Sequence, residues 1–251
     1  MASPHTTPLR VRDIGDATTL HPFDLVSAHK DIEDFFHLIK AAKIVPISVG
    51  GDHSVTLPIF RALAKDGPIG MVHLDAHCDT GDDYFGSKFH HGSPFKVAVD
   101  EGLLDPKRTI QIGIRGSIND REMWQFSHDS GMRVVYMEEF YEMVRTGGLK
   151  AVIDEAYKVC GSEKPTYISF DVDALDPVYA PGTGTPEVGG MTTLEAQMIL
   201  RGLTDMNLIG GDVVEVAPPW DQTGNTAMVG AQMLFEMACT VVASVARQRE
   251  L

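Results

Sequence analysis

Short apolar runs rich in β-branched residues recur along the chain at residues 44–49, 69–74, 109–114, 132–136, 166–170 and 211–216. Each is closed by glycine, proline or a polar cluster, as strands are. Between them the apolar positions switch to helical spacing, at residues 57–64, 147–159 and 192–203. The runs are almost continuously apolar, which predicts strands covered on both faces and therefore a mostly parallel sheet. Alternation of strand and helix predicts an α/β fold, with three α/β/α layers around that sheet. No low-complexity linker or internal repeat breaks the pattern, so a single domain over residues 1–251 is expected. In open sheets of this class ligands bind beyond the carboxyl ends of the strands. The chain's acidic motifs stand at those ends.

Two segments place carboxylates at alternate positions directly after an apolar run: His73-Leu-Asp75-Ala-His77-Cys78-Asp79-Thr80, and Ser169-Phe-Asp171-Val-Asp173-Ala-Leu-Asp176-Pro177. If each strand continues through its motif, residues two apart share a face, and Asp75, His77 and Asp79 converge, as do Asp171 and Asp173. Carboxylates packed so closely need a counter-cation, and mixed oxygen and imidazole donors suit a Mn²⁺-type ion. Gly50-Gly51-Asp52-His53-Ser54 follows the first apolar run, where two glycines permit a tight turn that delivers His53 to the strand end. The plainer reading of that segment is a turn whose Asp or Ser caps the next helix. Glu215 lies within an apolar strand and requires a cationic partner, either a structural arginine or a cationic substrate. His90 and His91 close an irregular polar stretch, residues 81–92, that reads as a loop over the site. A proton-transfer role suits one of them. Cys78 alternates with the proposed ligands and is expected to be a core thiol.

Composition narrows the partners. With 43% hydrophobic and 22% charged residues the chain is globular. A formal charge of −14 argues against nucleic acid and against an anionic membrane surface. Three cysteines without a CxxC indicate neither a disulfide framework nor a thiolate zinc site. No apolar signal region and no stretch approaching the ~18 apolar residues of a bilayer span is evident, so a cytoplasmic location is expected.

Together, the segments at 50–54, 75–80, 169–177 and 215–221 resemble the ureohydrolase family of arginases, agmatinases and guanidinoalkanoate hydrolases. The resemblance runs from about Asp13 to the C-terminal helix. His91-Gly-Ser-Pro-Phe95, Thr183-Gly-Thr-Pro-Glu-Val-Gly-Gly190 and the Val-Ala-Pro-Pro after Glu215 are closer to the agmatinase and guanidino-acid branch than to arginase. The resemblance implies an arginase-like fold and two Mn²⁺ per subunit, with Ni²⁺ an alternative. One ion would be held by His53, Asp75, Asp79 and Asp171 and the other by Asp75, His77, Asp171 and Asp173. It further implies that hydroxide between the ions attacks a small guanidino substrate of agmatine, guanidinobutyrate or guanidinopropionate type, releasing urea and an amine. Asp79 would hydrogen-bond the nucleophile, Glu215 would orient the guanidinium and His91 would shuttle the proton.

Two departures from the family pattern are evident. The usual N-terminal strand and Gly-Pro segment are not found before Asp13, so the start is expected to be shortened or remodelled, and Ala174 stands where glycine is common. A homo-oligomer is expected from the resemblance and from the apolar segment at residues 233–245. Two other readings are a non-catalytic ureohydrolase-like subunit, which the complete ligand set opposes, and a single-zinc deacetylase, which the paired motifs oppose.

Overall fold

The computed structural model describes residues 9–117 and 122–250. Among these residues six strands, β1 (Ile47–Val49), β2 (Ile69–Leu74), β3 (Leu104–Ile114), β4 (Arg133–Tyr136), β5 (Thr166–Asp171) and β6 (Leu208–Val214), form one sheet in the order β1-β6-β5-β2-β3-β4. Every pairing is parallel. Among the described residues eight α-helices accompany it: α1 (Leu25–Ala41), α2 (Thr56–Leu63), α3 (Pro94–Asp100), α4 (Glu122–Ser130), α5 (Met137–Gly147), α6 (Leu149–Cys160), α7 (Thr193–Gly202) and α8 (Asn225–Glu250). Two apolar clusters cover the sheet. One joins Phe36, Leu57, Phe60 and Phe95 from α1, α2 and α3, and the other joins Phe140, Val152, Ile199, Met233 and Met237 from α5 to α8. These are the outer layers of the expected three-layer α/β/α arrangement.

Local chemistry explains where the predicted elements shift. The first run begins its ladder only at Ile47, because Pro46 has no N–H to donate and instead accepts from Gly211 N–H at 3.2 Å. The expected helix over 147–159 is broken at Gly148 (φ +69°), which ends α5 and precedes α6. Thr192 stands outside α7 as its N-cap, in a reciprocal capping box with Glu195. By length and composition α8 is apolar enough to cross a membrane, contrary to the expectation of no such segment. Met233, Met237 and Val241 are buried in the main apolar cluster, as in a core helix.

One register position matters for the site. Ser48 pairs Asp212, Asp212 pairs Ser169, Ser169 pairs His73 and His73 pairs Gln111, so a polar row crosses five adjacent strands. Asp212, Ser169, His73 and Gln111 are all fully buried. Such a row is costly unless each member is hydrogen-bonded.

Candidate metal centre and active site

The ligand motifs do not continue their strands, and here the strand-pleat expectation is corrected. β2 ends at Leu74, and Asp75 to Asp79 form a turn in which Asp75 Oδ1 accepts from His77 N–H at 2.6 Å. Asp79 adopts a left-handed conformation (φ +51°), which short polar side chains tolerate. β5 ends at Asp171, whose Oδ1 accepts from Asp173 N–H at 2.8 Å and starts a 3₁₀ turn over Val172–Ala174. Asp173 Oδ1 in turn accepts from Ala76 N–H at 3.0 Å, tying the two turns together. The backbone thus reverses around the carboxylates, which aims them at one point more tightly than a pleat would.

His53 arrives from a third strand end. It opens a 3₁₀ turn, His53–Val55, after the glycine pair, and Asp52 caps that turn. The capping reading therefore holds for this 3₁₀ turn, and the same cap presents His53 toward the carboxylates. Its Nδ1 lies 3.2 Å from Asp75 Oδ2, 2.9 Å from Asp79 Oδ2 and 3.4 Å from Asp171 Oδ2. A second group follows on the other side of Asp75, where His77 Nδ1 is 3.5 Å from Asp75 Oδ1 and 3.1 Å from Asp173 Oδ2.

The donor set fits divalent ions. His53 Nε2 is 2.8 Å from Ser169 Oγ, and Ser169 Oγ donates to Asp212 Oδ1 at 2.8 Å. This chain places the ring hydrogen on Nε2 and the lone pair on Nδ1. Among the described residues the buried Nδ1 has no hydrogen-bond partner, although three carboxylates surround it. Burial favours the neutral ring, but Asp171, Asp75 and Asp79 raise its pKa well above the ordinary value, so the nitrogen facing them takes a cation, either a proton or a metal ion. Asp75, Asp171 and Asp173 are almost wholly buried. Burial, together with the charges of Asp173 and Asp75, holds the Asp171 carboxyl well above the usual range. Burial and the Asp75 charge push Asp173 up to about 6. For His77, burial favours the neutral ring, but Asp173 and Asp75 outweigh it and raise its pKa to about 12. A metal ion would relieve all of these by replacing protons.

Glu215 lies beyond the end of β6, not within it. Its φ of +65° is left-handed, unusual for a long side chain, and costs ~1–3 kcal/mol. That turn directs Oε1 to His53 N–H at 2.8 Å. Among the described residues its ion-pair partner is His91, at 3.8 Å, and no arginine pairs it. Burial raises its pKa to about 7. His91 is half exposed on the loop beside it. His90 is committed elsewhere: Nε2 donates to Asp82 O at 2.8 Å and Nδ1 accepts from Gly92 N–H at 3.2 Å, which holds the loop's shape. Cys78 is a buried thiol whose pKa burial pushes up to about 12. Ala174 sits in a right-handed turn that needs no glycine.

Several site residues escaped the sequence reading. Ser169 and Asp212 back His53, and Asp212 also accepts from Thr56 Oγ1 and Tyr167 OH. Thr185 Oγ1 reaches Asp173 Oδ2 at 3.3 Å. Arg115 is 7% exposed and donates to six backbone carbonyls, those of Gly113, Asp173, Ala174, Leu175, Glu187 and Val188. His73 faces Asp75, with Nε2 2.7 Å from Oδ2, and Gln111 backs His73. The available signal was a polar residue inside each apolar run, but only strand register shows that they meet.

The chain is 55% identical over 240 residues to guanidinopropionase of Pseudomonas aeruginosa, an alignment spanning 95% of this chain and 74% of that protein. It is 46% identical over 234 residues to the mitochondrial guanidino acid hydrolase of Homo sapiens, covering 93% of this chain and 65% of that one. Its structure matches proclavaminate amidino hydrolase from Streptomyces clavuligerus with a TM-score of 0.83 at 36% identity, over 89% of this chain and 73% of that one. The arginase family model matches residues 2–239. With these likenesses set beside three strand ends that gather two histidines and four aspartates, the chain belongs to the arginase family.

Proposed function

We propose that this chain hydrolyses a small guanidino compound to urea and an amine, using two divalent ions held by His53, Asp75, Asp79, Asp171, His77 and Asp173. The observation that carries the reading is the unpartnered, buried Nδ1 of His53 facing three carboxylates. Asp75 and Asp171 are assigned to both ions, and manganese is the expected metal, with nickel the alternative. When bound, such a pair supplies a water acidified enough to act as a nucleophile near neutral pH.

The protein groups divide the remaining work. Glu215 holds the guanidinium: Oε1 is anchored by His53 N–H, and the carboxylate accepts from the planar N–H fork. A carboxyl raised to about 7 by burial gains its charge as the cation arrives, which favours guanidinium over neutral ureas. Asp79 accepts a hydrogen bond from the attacking water and so orients it. Water adds to the guanidinium carbon as one of its protons passes to Asp79, the bond to the alkyl-bearing nitrogen breaks, and that nitrogen leaves as the amine with a proton from the His91 imidazolium, which regains one from solvent while urea is released. The half-exposed position of His91 suits exchange of that proton with solvent.

The reading covers a single ureohydrolase-like domain in a cytoplasmic homo-oligomer acting on a small molecule, with neither nucleic acid nor membrane as partner. Its substrates are agmatine, guanidinobutyrate or guanidinopropionate in type, and the identity to guanidinopropionase favours the guanidino acids. The test is urea release from these three compounds by protein reconstituted with Mn²⁺ or Ni²⁺. Urea from none of them, with two ions bound, would reject it.

A further inference from the structure

Strands buried on both faces are ordinarily lined with apolar side chains, and β2 and β3 depart from this where His73 and Gln111 pair in the ladder. Both are fully buried. Gln111 Nε2 lies 2.6 Å from Cys78 O and 3.1 Å from His73 Nδ1. Cys78 O only accepts, so the nitrogen of the amide must face it; the flipped amide would set oxygen against oxygen. The second N–H then points at His73 Nδ1, which accepts, and the ring hydrogen sits on Nε2. That Nε2 is 2.7 Å from Asp75 Oδ2. Among the described residues Gln111 Oε1 is buried without a hydrogen-bond partner, a cost that the two donations must outweigh.

The same geometry contains a competing possibility. Ligand atoms of His53, His73 and Asp75 lie within 4.8 Å of one another, so His73 is within reach of an ion held by the other two. Its tautomer decides between the roles, since a protonated Nε2 donates to a carboxylate and cannot coordinate. The Phe95 ring, 4.6 Å away by centroids, restrains the imidazole from the side.

We propose that His73 and Gln111 are a positioning pair for Asp75: Gln111 commits His73 to the Nε2–H tautomer, and His73 donates to Oδ2 of Asp75 while staying out of the metal's coordination. The inference rests on the metal-site reading above. Donation to one oxygen of a carboxylate assigned to both ions fixes its rotation and tempers its charge, as outer-shell partners do.

The test uses the full chain. Long-range ¹H–¹⁵N spectra of the metal-free, histidine-labelled protein should show His73 protonated on Nε2 and bare on Nδ1. His73→Asn places its amide oxygen where Nδ1 was, still accepting from Gln111, and leaves Asp75 without its donor, whereas His73→Gln reaches the position of Nε2. Chelator competition should show Mn²⁺ affinity ~10–100-fold weaker for His73→Asn, and for His73→Gln within about threefold of the parent. Gln111→Met should weaken it by about tenfold alone and add nothing to His73→Asn. An Nδ1–H tautomer, or equal losses in the Asn and Gln variants at equal thermal stability, would overturn the proposal. A parent chain that bound no Mn²⁺ would instead overturn the proposed function, and the tautomer spectrum would still decide the pair.

Discussion

Arg115 offers the sharpest test of how the site is held. The side chain sits between the 3₁₀ turn bearing Asp173 and the loop at Glu187 and Val188, and it binds both through backbone carbonyls. Burial lowers its pKa, opposed by the charges of Asp173, Asp75, Asp176 and Glu187, and it stays cationic. Arg115→Met keeps the bulk and removes every donor. The two shortest contacts, Nη2 to Asp173 O and to Glu187 O, are each 2.7 Å. At ~1.5 kcal/mol apiece for bonds to a charged donor they set a floor of ~3 kcal/mol. Loss of one partner from a buried charged network reaches ~3–5 kcal/mol. With a urea m-value of ~3 kcal/mol/M, a loss of ~4 kcal/mol moves the unfolding midpoint down by ~1.3 M. Arg115→Lys should fall between, because one ammonium cannot span carbonyls on two loops. The assay is urea unfolding of metal-free protein followed by circular dichroism and fluorescence together, so that metal binding does not mask the change. A midpoint shift below ~0.3 M for Arg115→Met would refute the argument that these carbonyls depend on the guanidinium.

Other outcomes follow from the same geometry. His91→Asn should retain both metals and lose ~10²–10⁴ in turnover, measured by urea release. His90→Asn should change turnover much less, since its ring is spent on Asp82 O and Gly92 N–H; the reverse ranking would move the proton-transfer role to His90. Glu215→Gln should leave metal content unchanged and reduce kcat/KM by ~10²–10³, as for removal of one preorganised charged contact, and unaltered kinetics would remove Glu215 from substrate binding. Metal affinity should fall with acidification. Asp173 is held up to about 6, so below that pH its proton must be displaced, and from this group alone apparent affinity drops up to about tenfold per pH unit. Titrations in chelator buffers between pH 5 and 8 that gave a flat profile would contradict this.

What the sequence by itself determined is the part of the protein written in local pattern. Continuous apolar runs alternating with helical periodicity specify a parallel sheet between helices, because only strands buried on both faces lack polar alternation. The residue types proposed as ligands were legible too, since clustered carboxylates beside strand ends need a cation to offset their repulsion. The conformations that aim them were not. Asp75, His77 and Asp79 converge through a turn with Asp79 left-handed, and Glu215 points inward because its backbone turns left-handed beyond β6. Such strained geometries are imposed by surrounding contacts and leave no local signature. Tertiary structure alone decided the supporting layer. His73, Gln111, Ser169 and Asp212 are each one polar letter in an apolar run, and they become a network only when strands distant in sequence align in register. Arg115 likewise looks like any arginine until the turn at Asp173 and the loop at Glu187 close over it. A hydrogen bond needs both partners placed to within a few tenths of an ångström, and that placement belongs to the packed whole.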